Sequence, residues 1–389
     1  MTTKKRPDIR ALTRLVPRSG NLVQGQSELT IHPSLAASAI RRIAASDNHY
    51  LPAEGDRELR LAVSQQIKAH SGIEIDPEAK ALELLITPGA TGALVSIAQS
   101  YLLDASALVF EPYYPYHRYI LDELGSASEV FPLRGESLEL DADELFLRCK
   151  ELKKRAQFPL KAIIACSPAN PTGKVFTSAE REAIADVCME LDLLCIADEV
   201  YEHYVSGPES HVSIATLPGM KERTITVNSF SKSWNISGWR LGYCCGPAEL
   251  IAPLNRANNI FYVCSPTPLQ KALGEVLMSD AKYYDRLRER FTAKREFAVQ
   301  ALSQSGFRIY ESGSTFYIWA RTPDGYKDAI ELNDLLIREA QVSAVPGAAF
   351  SDSNDWDSYL RLCIAREDEV LQGALEKISN ALSTHFACH

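Results

Sequence analysis

Residues 224–245 read TITVNSFSKSWNISGWRLGYCC. An apolar, β-branched run (224–228) is followed by small polar residues around one lysine, Lys232, and then by a second apolar run (241–245). Both runs have the length and composition of buried strands. Ser229, Lys232 and Arg240 therefore fall in the connection between two strands. A lone lysine is ordinarily a solvated surface group, so its surroundings must decide its role.

Working outward, short apolar runs recur at 82–87, 107–110, 162–166 and 193–197, separated by longer amphipathic stretches. One such stretch, 178–191, is expected to be a helix capped by Ser178, with Glu180, Arg181 and Glu182 leading its apolar face. Alternation of this kind predicts an α/β fold with a large, mainly parallel sheet flanked by helices on both faces. Ligands of such sheets bind at the carboxyl ends of the strands. Those ends carry Pro88-Gly89-Ala90-Thr91-Gly92, Ser167-Pro168-Ala169-Asn170-Pro171-Thr172-Gly173, Asp198-Glu199-Val200-Tyr201 and Ser229-Phe230-Ser231-Lys232. Taken singly, each is a turn, a helix cap or a surface lysine.

Beyond residue 280 the texture changes. A long charged helix is expected at 282–303, followed by short strands at 307–310, 316–320, 343–345 and 359–363 and helices at 330–340 and 367–382. This describes a smaller α+β domain. At 389 residues the chain exceeds the size at which single cores stop growing. The expected division is an N-terminal segment packing with the small domain (1–48), a large cofactor-binding domain (49–285) and a small C-terminal domain (286–389).

The formal net charge of −9 and the lack of any basic tract beyond Lys4-Lys5-Arg6 argue against a nucleic-acid partner. No apolar run is long enough for a signal peptide or a membrane span. Nine cysteines lie scattered, mostly in apolar runs, with no CxxC pair and no histidine at ligand spacing. Buried, reduced thiols in a cytoplasmic protein are expected, and no metal site.

Together the strand-end motifs resemble the class I/II aminotransferases, fold-type I enzymes dependent on pyridoxal 5′-phosphate (PLP), leaning to the kynurenine, glutamine and aromatic branch. The resemblance rests on Tyr50-x-Pro-x-x-Gly55-x-x-x-Leu59-Arg60, Asn170-Pro-Thr-Gly, Asp198-x-x-Tyr201, Ser229-x-x-Lys232 with Arg240 eight residues on, Val345-Pro346-Gly347 and Tyr359-Leu360-Arg361-Leu362. It implies that Lys232 forms the Schiff base with PLP and acts as the base at the substrate Cα. Asp198 would pair with the pyridine nitrogen, Tyr201 and Asn170 with O3′, and Tyr114 would stack on the ring. Ser229, Arg240 and the Ala90 and Thr91 amides would hold the phosphate. Arg361 would clamp the substrate carboxylate, assisted by Asn170 and Gly25; a strand-edge salt bridge is the alternative for Arg361. Tyr50 would reach the cofactor of a neighbouring subunit, which implies a homodimer with shared sites.

The implied reaction exchanges an amino group between an L-amino acid and a 2-oxo acid. β-Elimination and oxygen-dependent oxidation begin with the same proton removal and remain alternatives. A non-catalytic ligand sensor would need a DNA-binding head, for which roughly twenty preceding residues are too few. Where bacterial aspartate aminotransferases of this subgroup carry a lysine, this chain has Thr91. The segment Asn258-Asn259-Ile260-Phe261-Tyr262, which the family contributes across the dimer, has no cation. With Tyr113, Tyr114 and Tyr116, this predicts a neutral or aromatic substrate side chain. Ser351-Asp352-Ser353-Asn354 stands where the family usually has glycine.

Overall fold

Seven strands build the central sheet: β1 (Leu84–Thr87), β2 (Ser106–Glu111), β3 (Ala127–Pro132), β4 (Leu160–Cys166), β5 (Leu194–Asp198), β6 (Thr224–Ser229) and β7 (Gly242–Cys245). They were traced in a computed structural model that describes residues 7–45, 47–206, 211–310 and 312–387, without the side chains of 386 and 387. The spatial order is β1-β7-β6-β5-β4-β2-β3. Only β7 runs against its neighbours, pairing antiparallel with both β1 and β6.

Successive residues of a strand point to opposite faces, and here both faces are apolar. Val109, Ala162, Ile164, Ile196 and Val227 belong to one buried cluster, while Leu108, Ile163, Ala165, Cys195 and Ala197 belong to another. Burial on both faces is what helices on each side of a parallel sheet impose. The strand β3 escapes the sequence pattern. It lies at the sheet edge, and only Phe131 of its six residues is buried. The cap of the helix Ser178–Glu190 also differs from expectation: it is Thr177, whose hydroxyl receives the Glu180 N–H while Glu180 accepts the Thr177 N–H at 2.8 Å. That reciprocal pair satisfies two helix-end donors at once, which Ser178 cannot do from inside the first turn.

A second, antiparallel sheet has the order β10-β11-β9-β8, formed by β8 (Arg308–Ile309), β9 (Tyr317–Arg321), β10 (Val345–Pro346) and β11 (Tyr359–Cys363). The helix Tyr283–Gln304 runs between the two sheets. Tyr283 stacks on Trp234 at 4.2 Å, while Leu287, Phe291, Ala298 and Leu302 pack with Phe316, Ile318 and Leu362. The N-terminal chain lies beside the second sheet: Leu22 N–H donates to Ser343 O and Cys363 N–H to Leu22 O, each at 2.9 Å. Eight described cysteines are free thiols and six of them are buried. No described helix is long and apolar enough to cross a membrane.

Candidate active site

Strands β1, β2, β4, β5 and β6 end along one edge of the sheet. Because β7 is reversed, its start reaches the same edge, with Gly242 opposite both Thr87 and Ser229. Arg240 thus arrives beside residues that follow the other strands.

Lys232 follows β6 in the short helix Phe230–Ser233. Its half-buried amine donates to Gly25 O at 2.6 Å. Among the described residues no carboxylate lies within ion-pair distance of it. Burial pushes the amine down from 10.5 to about 8, with the Arg361 and Arg240 charges acting in the same direction. Tyr204 pins the local backbone by donating its hydroxyl to Lys232 O at 2.8 Å. Gly25 has to be glycine, since a Cβ there would stand 2.0 Å from the Tyr317 hydroxyl.

Asp198 closes β5 and is 3% exposed. Its Oδ2 lies 2.7 Å from His117 Nε2, and its Oδ1 accepts the Val200 N–H at 3.4 Å. Acceptor capacity therefore remains on a buried carboxylate. His117 is itself buried in the helix Pro115–Glu123, and Tyr114 at the cap of that helix meets it edge-on at 5.2 Å. Tyr201 is buried with its hydroxyl 3.0 Å from that of Tyr317. Burial raises both phenols, Tyr317 to about 12, so each is neutral at pH 7.

On the β1–β7 side, the helix Gly89–Ile97 has no side-chain cap, so the Ala90 and Thr91 amides at its start suit an anion. Around it stand Ser229, whose hydroxyl lies 2.8 Å from that of Ser231, and Arg240, whose Nη2 donates to Pro88 O at 3.2 Å. Gly89 adopts φ +71°, and a Cβ there would press to 2.7 Å from Arg240 Nη2. Two hydroxyls, a guanidinium and a helix start make a fitted cradle for a dianionic phosphate.

Arg361 lies on β11, an interior strand of the second sheet, and is 3% exposed. Its Nη1 donates to Asn170 Oδ1 at 2.9 Å and its Nη2 to Val23 O at 2.5 Å. The guanidinium carbon sits 4.4 Å from the Tyr317 ring centroid and 5.0 Å from that of Phe350. Its Nε has no partner, and no described carboxylate pairs with it. This overturns the strand-edge salt bridge: the strand is not at an edge, and the cation lacks an anion. Val23 supplies its backbone acceptor.

Tyr50 stands outside this group, 83% exposed. Ile260 and Phe261 likewise face outward at 79% and 47%. The segment 351–353 owes its hydroxyls to Glu111, a buried carboxylate that accepts the Ser351 and Ser353 hydroxyls at 2.7 Å each and the Asp352 N–H at 2.9 Å. Glycines there would leave Glu111 short of donors. Sequence reasoning missed His117, Tyr317 and Ser231. Only Ser231 carried a local signal, one residue before Lys232.

Behind β5 and β6 lies a buried polar layer. Glu202 accepts from Asn228 Nδ2 at 2.5 Å and from the Ser71 hydroxyl at 2.6 Å. Asn228 Oδ1 in turn accepts the Ser229 N–H at 2.7 Å. Burial pushes Glu202 up to about 7.

These groups fit PLP. An amine poised near neutrality can meet an aldehyde, a buried carboxylate with spare acceptor capacity can meet a pyridinium, and the cradle can meet a phosphate. Arg361, a buried cation with an unpaired Nε, can meet a carboxylate.

The family model described as aminotransferase class I and II matches residues 19–378. A probable N-succinyldiaminopimelate aminotransferase of Mycobacterium tuberculosis is 33% identical over 95% of this chain and 94% of its own length. Kynurenine–oxoglutarate transaminase 3 of Mus musculus is 32% identical over 92% of this chain and 84% of its own. The solved N-succinyldiaminopimelate aminotransferase from M. tuberculosis superposes with a TM-score of 0.89 at 32% identity, covering 96% of each chain.

Proposed function

The chain belongs to the class I and II aminotransferases, PLP-dependent transaminases that act on amino acids and 2-oxo acids, and we propose that Lys232 holds the cofactor and moves the proton in this one. The observation that carries the assignment is a half-buried lysine amine held near 8, without a carboxylate partner, three residues after a serine of the phosphate cradle. Bound there, PLP supplies an electron sink for the Cα–H bond of the substrate.

The remaining roles follow from position and charge. Ser229, Ser231, Arg240 and the Ala90 and Thr91 amides hold the phosphate, and Tyr114 lies against the ring. Asp198, kept in place by His117, holds a proton at the pyridine nitrogen. Tyr201 and Asn170 serve the ring oxygen. Arg361 takes the substrate α-carboxylate through its free donors, and Lys232 Nζ takes the Cα proton. A base near 8 is neutral often enough at pH 7 to accept that proton and return it.

The donor is a neutral or aromatic L-amino acid. Tyr116, stacked on Tyr114 at 5.4 Å, supports this by extending the aromatic surface beside the site. The working unit is a cytoplasmic homodimer in which Tyr50 reaches the partner's cofactor. Exposed Tyr50, Ile260 and Phe261 are the surface such a dimer would cover. Residues 49–285 form the large domain, and 286–389 with 1–48 the small one.

Lys232→Ala tests the assignment. The variant should lose the visible absorbance that PLP acquires on linking to a lysine, and lose turnover, while retaining the wild-type circular dichroism. An unchanged spectrum would place the cofactor on another residue.

A further inference from the structure

The phenol assigned to the ring oxygen does not stand alone. Among the described residues the Tyr201 hydroxyl has one hydrogen-bond partner, the Tyr317 hydroxyl at 3.0 Å. Both side chains are buried. They come from different sheets, for Tyr201 follows β5 in the large sheet and Tyr317 opens β9 in the second.

The surroundings of Tyr317 fix its place. Its N–H donates to the Thr315 hydroxyl at 3.1 Å, and its carbonyl accepts from Arg295 Nη1 at 3.0 Å. It is in register with Cys363 on β11, so Arg361, two residues earlier on that strand, is its diagonal neighbour on the same face. The Arg361 guanidinium carbon accordingly lies 4.4 Å from the Tyr317 ring centroid. At the other end of the ring, the hydroxyl occupies the space where a Cβ on Gly25 would fall. One side chain thus supports the proposed carboxylate clamp with its ring and meets the proposed cofactor phenol with its hydroxyl.

A phenol has one hydrogen to donate and lone pairs that accept. Burial raises both phenols, Tyr317 to about 12, so each keeps its hydrogen at pH 7. Two neutral phenols in contact use one hydrogen between them and leave the other free. An anionic ring oxygen beside Tyr201 is a stronger acceptor than a second phenol. It claims the Tyr201 hydrogen, and Tyr317 is then the donor within the pair. A hydroxyl that accepts one hydrogen bond donates its own more strongly.

We propose that Tyr317 is a positioning residue that donates to Tyr201 and thereby strengthens the hydrogen bond from Tyr201 to the ring oxygen of PLP. The inference rests on Tyr201 serving that oxygen as proposed above. The relay stabilises negative charge on the ring oxygen, so the lysine-linked cofactor loses its proton at a lower pH than Tyr201 alone would set. Removing the Tyr317 hydroxyl moves that pH upward.

The test is a pH titration of the visible band of the holoenzyme, without substrate, in wild type, Tyr317→Phe, Tyr201→Phe and the double variant. Phenylalanine at 317 keeps the ring beside Arg361 and removes only the hydroxyl. Tyr317→Phe should raise the midpoint by about 0.4–1 pH unit, the worth of one neutral hydrogen bond. Tyr201→Phe should raise it further. The double variant should match Tyr201→Phe within about 0.2 unit, because a relay without its middle member transmits nothing. Titration of the apoprotein with PLP should follow the same order, with Tyr317→Phe weaker than wild type by about 2- to 10-fold. An unchanged or lowered midpoint in Tyr317→Phe would overturn the relay, and so would shifts that add in the double variant. Either result would leave Tyr317 a packing residue while Tyr201 kept its role. A Tyr201→Phe enzyme with the wild-type midpoint would instead remove Tyr201 from the ring oxygen, and the proposal with it.

Discussion

Replacing Arg361 with lysine keeps the positive charge and removes the fork. In the native site Nη1 and Nη2 each spend one hydrogen on Asn170 and Val23, which leaves the unpaired Nε–H and one hydrogen on each Nη. Two of these can meet a carboxylate side by side. A lysine ammonium reaching the same place is a point donor that still has to satisfy Val23 O and Asn170 Oδ1, so it forfeits at least one charge-assisted bond to substrate. Such a bond contributes about 1.5–3 kcal/mol, which corresponds to a fall of about 10- to 150-fold in kcat/KM. The α-carboxylate is common to all amino acids and 2-oxo acids, so the loss should be the same for every donor and acceptor, whatever the side chain. Steady-state kinetics with three donors of different side chains measures this, with the cofactor absorbance and thermal midpoint recorded to verify that the site is loaded and folded. A loss confined to one side-chain class would mean that Arg361 reads the side chain. A loaded, folded variant with kcat/KM within about 3-fold of wild type would refute the clamp.

Asp198→Ala should leave cofactor bound through Lys232 and the phosphate cradle but lower kcat by at least about 100-fold, because an unprotonated pyridine is a poor sink; near-normal single-turnover rates would place the acid partner elsewhere. Glu202→Gln bears on stability and pH. The Glu202 value in the fold, about 7, stands above the ordinary 4.5, so its contribution is fully present below about pH 4.5 and is lost as pH rises through 7. The difference corresponds to about 3 kcal/mol, and Gln, which cannot ionise, should be the more stable form at pH 8 relative to pH 5. Denaturant midpoints at the two pH values decide it, and a wild-type-minus-variant difference that does not change with pH contradicts the assignment.

The chemistry of this chain is legible where it is local and hidden where it is long-range. The run 224–228 could be read because β6 is buried on both faces and four consecutive β-branched residues, 224–227, open it. The edge strand β3 could not, since ASEVFP buries only Phe131. Asp198 and Tyr201 were visible as a spaced pair after a strand. His117 was not, because its partner lies 81 residues away, and nothing around it separates it from any histidine on a helix. The same holds for Tyr317, which meets Tyr201 across 116 residues. Arg361 was visible as a residue and ambiguous as a role. Only its interior strand, its two neutral acceptors and its unpaired Nε distinguish an anion clamp from a structural ion pair.

The period-two geometry of a strand and the turn that follows it explains why the site carries a polar layer behind it. Asp198, Tyr201 and Ser229 belong to the proposed site, while their chain neighbours Glu199, Glu202 and Asn228 fall into the buried layer beyond. Buried polar groups there must find partners or cost stability. They find one another: Glu202 takes Asn228 and Ser71, Glu199 takes the Ser213 hydroxyl at 2.7 Å, and Asn228 returns an acceptor to the Ser229 amide. The link from Glu202 through Asn228 to Ser229 ties the loop after β5 to the end of β6. Tyr204 adds a second tie through Lys232 O. Two loops bearing the proposed proton holder, phenol, phosphate ligand and lysine are thereby fixed to each other as well as to the sheet. A group that must accept a proton from Cα gains rate from being held at short range. The raised Glu202 is the thermodynamic cost of that rigidity, and a variant such as Glu202→Gln separates the two by gaining stability at high pH while loosening the link to Ser229.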